Sequence, residues 1–247
     1  MTNLIAAVRS VLTYIIVSVY VLCAGTIALA IGVPFKYKPA LYIPGHIGVW
    51  LALGLSGIRY RVRGRERIPK DRAVVFCSNH ESNVDPPVLF QALHRQLHVL
   101  FKAELTKLPI LGAVMVAGGF VPVERDKREA SMASIERAAQ SIREGNSFLI
   151  FPEGTRSKTH EMLPFKKGGF IMAIKAQAPI VPVAVSGGRT AMQKGSWYVR
   201  PVMVDVVLGD PVETAGMTLD QRDDLIEIVR ARIEELRVLL SDEKVKN

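Results

Sequence analysis

His80 and Asp85 stand five residues apart in Ser78-Asn-His80-Glu-Ser-Asn-Val-Asp85-Pro-Pro, where an apolar run ends and a helix is expected to open. On a continuous helix this separation turns two side chains to different faces. In a loop it lets the carboxylate fold back onto the imidazole. A carboxylate so placed selects one tautomer, stabilises the imidazolium and leaves the other ring nitrogen as a base. The same residues also have a plainer use. Asp suits the start of a helix, and a loop histidine can simply bond to backbone. Spacing alone leaves both open.

Two further apolar runs end in charged turns. In Phe151-Pro-Glu153-Gly154-Thr155-Arg156-Ser, backbone N–H groups of a glycine turn, with Thr155 and Arg156, can hold a phosphate. An ordinary surface turn is the competing reading. Phe120-Val-Pro-Val-Glu-Arg125 brings another guanidinium to a strand end, whereas Ile180–Gly187 carries no catalytic side chain and reads as core or as the wall of an apolar pocket. His94 and His98 have a metal-ligand spacing, but no Glu follows His94 and the pair straddles a helix end, so no metal site is expected. Cys77 lies in an apolar strand, where burial would raise its thiol pKa and make it inert. No Gly-x-Ser-x-Gly nucleophile turn occurs.

The elements expected to position these residues alternate. Strands are expected at Ile58–Gly64, Ala73–Cys77, His98–Phe101, Phe120–Val123, Ser147–Phe151, Ile180–Val185 and Val199–Leu208. Helices are expected from Asp85 to about His94, and at Leu108–Ala117, Lys127–Glu144, Gly168–Gln177 and Leu219–Leu240. This pattern implies an α/β domain over residues 59–247, with a mixed central sheet flanked by helices.

Residues 1–58 differ in kind. Hydrophobic residues make up 49% of the 247-residue chain, and the excess is concentrated here. No charge occurs from Ser10 to Phe35 or from Pro39 to Ile58, and each stretch is near the length that crosses a hydrocarbon core. The second, with Pro44 and four glycines, is the weaker spanning candidate. A cleaved leader usually has a shorter apolar run and no second one behind it. The expectation is a membrane-associated helical pair. Arg59, Arg61, Arg63, Arg65, Arg67 and Lys70 follow it directly and place the domain on the cytoplasmic side. A full hairpin would leave Lys36 and Lys38 outside, a shallow hairpin within one leaflet would not, and the sequence allows either. The net charge of +9 implies an anionic partner; apolar anchoring points to a phospholipid surface, and no nucleic-acid-binding signature is present. Cys23 and Cys77 read as reduced, buried residues.

Four segments, in this order, resemble the glycerolipid acyltransferase family, and specifically its bacterial 1-acylglycerol-3-phosphate acyltransferases. Asn79-His80-x4-Asp85 is similar to the first family motif, and Gly119–Arg125 loosely to the second, with Glu124 where Asp is common. Phe151–Ser157 is similar to the third, and Val181-Pro182-Val183 to the fourth. Lys102-Ala-Glu104-Leu and Phe165-Lys166-Lys-Gly168 also look like family landmarks. The likeness runs from about Arg59 to Gly187. It implies transfer of an acyl group from acyl-CoA or acyl carrier protein to lysophosphatidic acid at the bacterial inner membrane, with no cofactor. It also implies His80 as general base and Asp85 as its orienting group. Arg125, Glu153, Gly154, Thr155 and Arg156 would form the acceptor site, with Lys102 a further phosphate contact. Alternatives are another acceptor, such as glycerol 3-phosphate or a different lysophospholipid, or a non-catalytic protein that binds anionic lipid through its basic face.

Overall fold

The computed structural model describes residues 3–93, 96–124, 128–157, 159 and 161–246. Two apolar helices come first, α1 (Asn3–Gly32) and α2 (Pro39–Ser56). Strands and helices then alternate as β1 (Ile58–Arg63), β2 (Val75–Ser78), α3 (Asp85–Ala92), β3 (His98–Lys102), α4 (Leu111–Ala117), β4 (Val121–Val123), α5 (Arg128–Arg143) and β5 (Phe148–Ile150). The chain continues through α6 (Gly168–Ala176), β6 (Ile180–Ser186), α7 (Gly188–Ala191), β7 (Val202–Leu208) and α8 (Arg222–Lys246).

The strands form one seven-stranded sheet in the order β1-β7-β6-β2-β5-β3-β4. Every neighbouring pair is parallel except β6 and β7. The central strands Val75–Ser78, Phe148–Ile150 and most of Ile180–Ser186 are buried throughout, which explains why they read as continuous apolar runs rather than alternating ones. Edge strand β1 alternates instead, and its arginines face outward, Arg61 pairing with Asp205 at 2.8 Å. Val88 and Leu89 of α3, with Leu53 of α2, pack on one face of the sheet. Ile135 and Ile142 of α5, Phe170 of α6, and Leu225, Val229 and Ile233 of α8 pack on the other.

Several boundaries differ from the expected ones, for local reasons. Val202, not Val199, starts β7, because Val199 N–H donates to Ser10 Oγ and Arg200 N–H to Ala191 O. The expected helix over Leu108–Ala117 is preceded by a 3₁₀ turn, Ala103–Lys107, and begins at Leu111. A second 3₁₀ turn, Leu219–Gln221, is held by reciprocal bonds between Thr218 and Gln221 and feeds α8.

α1 meets the domain at points far apart along its axis. Ser10 Oγ accepts from Val199 N–H at 2.8 Å, Tyr14 donates to Trp197 O at 2.7 Å, and Gly25 packs against Ile110 and Val114 of the α4 segment. Its outer side exposes Leu12, Ile15, Ile16, Val19, Leu22 and Ile27. Among the described residues α1 is the helix long and apolar enough to cross a membrane. Cys23, expected to be buried, is exposed, because α1 lies on the outside of the domain and an apolar run there does not enter the core.

Candidate active site

Because β2, β3, β4, β5 and β6 share one direction, their C-terminal ends gather along one edge of the sheet. That edge therefore receives the His80 loop from β2, Lys102 from β3, the Phe151–Ser157 turn after β5 and Gly187-Gly188 after β6. Loops outside the carboxyl ends of parallel strands commonly form binding crevices.

His80 is held from four directions. Its Nδ1 lies 2.9 Å from Asp85 Oδ2, and its ring stacks on Phe151 with centroids 4.2 Å apart. Its backbone N–H donates to Glu153 Oε1 at 2.8 Å, and its carbonyl accepts from Ser157 N–H at 3.0 Å. Asp85 is wholly buried at the first turn of α3, and its Oδ2 also accepts from Glu81 and Ser82 N–H, both at 2.7 Å. The carboxylate thus does not cap its own helix; it turns back onto the loop before it. With Nδ1–H donated to a carboxylate, Nε2 carries the lone pair, the form a general base needs. One residue earlier, Asn79 binds β6 as a strand would, Nδ2 donating to Val185 O at 2.9 Å and Oδ1 accepting from Val185 N–H at 2.8 Å.

The turn after β5 divides its residues between two tasks. Glu153 is 3% exposed and its second oxygen, Oε2, accepts from Leu163 N–H at 2.8 Å. Burial pushes its pKa up, against the lowering effect of these two backbone donors. Placed so, Glu153 braces the His80 loop against the segment around Leu163 rather than presenting itself to the cleft. Gly154 adopts φ +68° and its N–H closes the turn onto Phe151 O at 3.0 Å, so its part is to shape the turn. Thr155 and Arg156 line the cleft together with Phe151, Pro152 and Gly154, whereas Glu153 does not.

The cleft itself has a volume of about 780 Å³. His80, Thr155, Arg156, Lys102 and Lys166 line its polar end, and the rest of the lining is mainly apolar. That apolar part comes from α1 (Val17, Val21), α2 (Val49, Ala52), Phe90, Phe101 and Phe120, so the N-terminal pair forms one wall. Gly25, Gly45 and Gly48 of that pair also line it, and at Gly25 and Gly48 a Cβ would meet Ile110 at 2.6 Å and Tyr20 at 2.8 Å. Lys102 Nζ is paired with Glu104 at 3.0 Å. Arg125 and His94 lie outside the described residues. His98 is buried and does not line the cleft, its Nδ1 3.2 Å from Ser141 Oγ, and among the described residues no cluster of His, Cys, Asp or Glu could hold a metal ion. Cys77 is fully buried, which pushes its thiol pKa up and leaves it no nucleophilic role.

Reading the sequence alone missed two contributors. A Cβ built on Gly188 would lie 2.2 Å from Asp85 Oδ1, so only glycine lets β6 and α7 approach the carboxylate this closely. Lys166 lies across Gly154 with its aliphatic stem and lines the cleft. Lys166 carried a signal, as part of the Phe-Lys-Lys-Gly landmark, whereas nothing local in the sequence connects Gly188 with Asp85.

A parallel-edge α/β domain with a His–Asp pair at the head of a long apolar cleft defines a class, and comparison with known proteins places the chain within it. The Acyltransferase family model matches residues 59–186, a little over half of the chain, nearly the span over which the motifs indicated the resemblance. The chain belongs to this acyltransferase family. A 1-acyl-sn-glycerol-3-phosphate acyltransferase of Limnanthes douglasii is 32% identical over 186 residues, covering 75% of this chain and 66% of that protein's length. The enzyme of the same description from Pseudomonas aeruginosa is 30% identical over 219 residues, 86% of this chain and 83% of its own. The crystal structure of the 1-acyl-sn-glycerophosphate acyltransferase of Thermotoga maritima superposes with a TM-score of 0.81 at 26% identity, covering 96% of this chain and 98% of that one.

Proposed function

We propose that the protein transfers a fatty acyl group from a thioester donor to the free sn-2 hydroxyl of 1-acyl-glycerol 3-phosphate, giving phosphatidic acid. The observation that carries this reading is the His80–Asp85 pair at the junction of the apolar cleft with its cationic end. The relatives' shared description supports lysophosphatidate as acceptor. Its phosphate would sit against Arg156, with Lys166 and Lys102 near, and the hydroxyl would face His80 Nε2.

In this mechanism the hydroxyl oxygen attacks the thioester carbonyl as its proton passes to Nε2, a contribution of about 10²–10⁴-fold. Asp85 stabilises the imidazolium that forms. The C–S bond breaks, and the thiolate leaves as CoA or the carrier-protein thiol, taking the proton from His80. No acyl-enzyme and no cofactor is needed. The apolar cleft excludes water, which would otherwise compete for the thioester.

The same reading places α1 in one leaflet of the bacterial inner membrane, with the domain on the cytoplasmic side. Contacts at Ser10 and Gly25 are separated by about 22 Å along a helix of 1.5 Å rise. A helix fastened to its domain at both points lies along it instead of projecting through a bilayer, and its outward apolar residues suit lipid.

The test uses purified protein in mixed micelles, one labelled acyl thioester, and lysophosphatidate, glycerol 3-phosphate and lysophosphatidylcholine as acceptors. Lysophosphatidate should be acylated fastest, and His80→Ala should abolish transfer while the variant stays folded and membrane-bound. Preferred acylation of glycerol 3-phosphate, or wild-type turnover in the variant, would remove this reading.

A further inference from the structure

Lys194 lies outside every segment in which the sequence indicated chemistry, yet its ammonium reaches the candidate acceptor turn. Lys194 Nζ donates to Thr155 Oγ1 at 3.2 Å and to Arg156 O at 2.9 Å. These bonds use two of the three N–H donors of an ammonium. Both acceptors belong to the stretch whose Thr155 and Arg156 line the cleft. The side chain is exposed, so its charge stands in water beside the cleft wall and is not neutralised by burial.

How Lys194 arrives there is equally specific. It sits within a four-residue turn in which Ser196 N–H donates to Gln193 O at 3.0 Å and Gly195 adopts φ +93°. The residues just after the turn are fastened to α1. Trp197 O accepts from Tyr14 at 2.7 Å, and Val199 N–H donates to Ser10 Oγ at 2.8 Å. Just before it, Met192 O accepts from Ser82 Oγ at 2.8 Å, within the His80 loop. The turn is therefore held between the membrane helix on one side and the catalytic loop on the other, with Lys194 at its tip.

We propose that Lys194 is an acceptor-recognition residue, adding a further cation to the phosphate site of Arg156, and that α1 holds its turn in place through Tyr14 and Ser10. A phosphate seated against Thr155 and Arg156 would take the third N–H of Lys194. This deepens the reading of lysophosphatidate as acceptor and rests on it. A phosphomonoester carries between one and two negative charges near neutral pH, so several flanking cations suit it better than one.

The experiment compares wild type with Lys194→Gln, Lys194→Arg and Tyr14→Phe, measuring kcat and KM for lysophosphatidate and, separately, for the acyl thioester. Lys194→Gln should raise the lysophosphatidate KM about tenfold, leave the thioester KM unchanged and flatten the salt dependence of the acceptor KM. Lys194→Arg should restore most of the loss, and Tyr14→Phe should raise the same KM by a smaller factor. A purely structural staple predicts the contrary: loss of thermal stability with kcat and both KM values falling or rising together. That pattern, or an unchanged acceptor KM in Lys194→Gln, would overturn the proposal. If wild type itself does not acylate lysophosphatidate, the underlying functional reading fails instead.

Discussion

The inner and outer ends of the site are built by opposite means. At the inner end, His80 and Asp85 are held by short bonds, Asp85 from the backbone of Glu81 and Ser82, His80 from Glu153 and Ser157, with Gly188 packed close against Asp85. At the outer end, Lys102, Arg156 and Lys166 line the cleft with long side chains, Lys194 bonds to the Thr155-Arg156 turn, and Lys102 is 55% exposed. In the proposed reaction, proton transfer requires close placement, which groups held this tightly supply. A phosphate at a membrane surface can be approached from a range of poses, and several flexible cations hold it without a rigid cage. The contrast teaches that substitutions at the two ends should be separable in kinetics: inner changes in kcat, outer changes in acceptor KM.

The sharpest way to break the inner end is Gly188→Ala. The added methyl would meet Asp85 Oδ1 at 2.2 Å and the Ser82 side chain at 3.1 Å, and must displace the carboxylate. The expected result is a fall in kcat of about 10²-fold with acceptor KM little changed. A wild-type kcat in a folded Gly188→Ala variant would show that Asp85 placement does not limit the reaction.

At the outer end, Arg156→Ala should raise acceptor KM by about 10–100-fold with a smaller change in kcat. Lys102→Ala should do much less, since its ammonium is already paired with Glu104 in an exposed position. Equal effects from the two variants would place the phosphate nearer to β3 than to the turn after β5.

The smallest effect on activity concerns His98, buried outside the cleft lining. Burial, with the nearby Lys38 charge second, lowers its pKa from 6.5 to about 4. The unfolded chain takes up this proton near 6.5 and the folded one only near 4, so the folded state is destabilised progressively as pH falls through that window. The full stability is present above 6.5, and at most about 3 kcal/mol is lost towards pH 4. Denaturation midpoints measured across this range should slope less in His98→Asn than in wild type, while activity at neutral pH is retained.

Much of the scaffold was legible because its signals are local. Continuous apolar runs such as Val74–Cys77 and Phe148–Ile150 mark strands buried on both faces, and the amphipathic spacing of Ile135, Ala139 and Ile142 marks a helix over the sheet. The His80–Asp85 contact was legible for the same reason, since five residues of loop limit where a side chain can turn. The place of Glu153 was not. Its partners are His80 N–H, 73 residues earlier, and Leu163 N–H, ten residues later, and nothing in the Glu-Gly-Thr-Arg string says which side chain points inward.

From its own sequence this chain determined an apolar N-terminal pair, an alternating α/β order, and the residue types that acyl transfer requires, because periodicity, capping and loop length act over a few residues. Only the tertiary structure decided that α1 and α2 form a wall of the cleft, that Gly188 admits Asp85, and that Lys194 lies beside Thr155. Those placements depend on the order of the strands, which brings residues from distant parts of the chain to one edge, 39 positions apart for Lys194 and Thr155 and further for Gly188 and Asp85, and no local pattern encodes that distance.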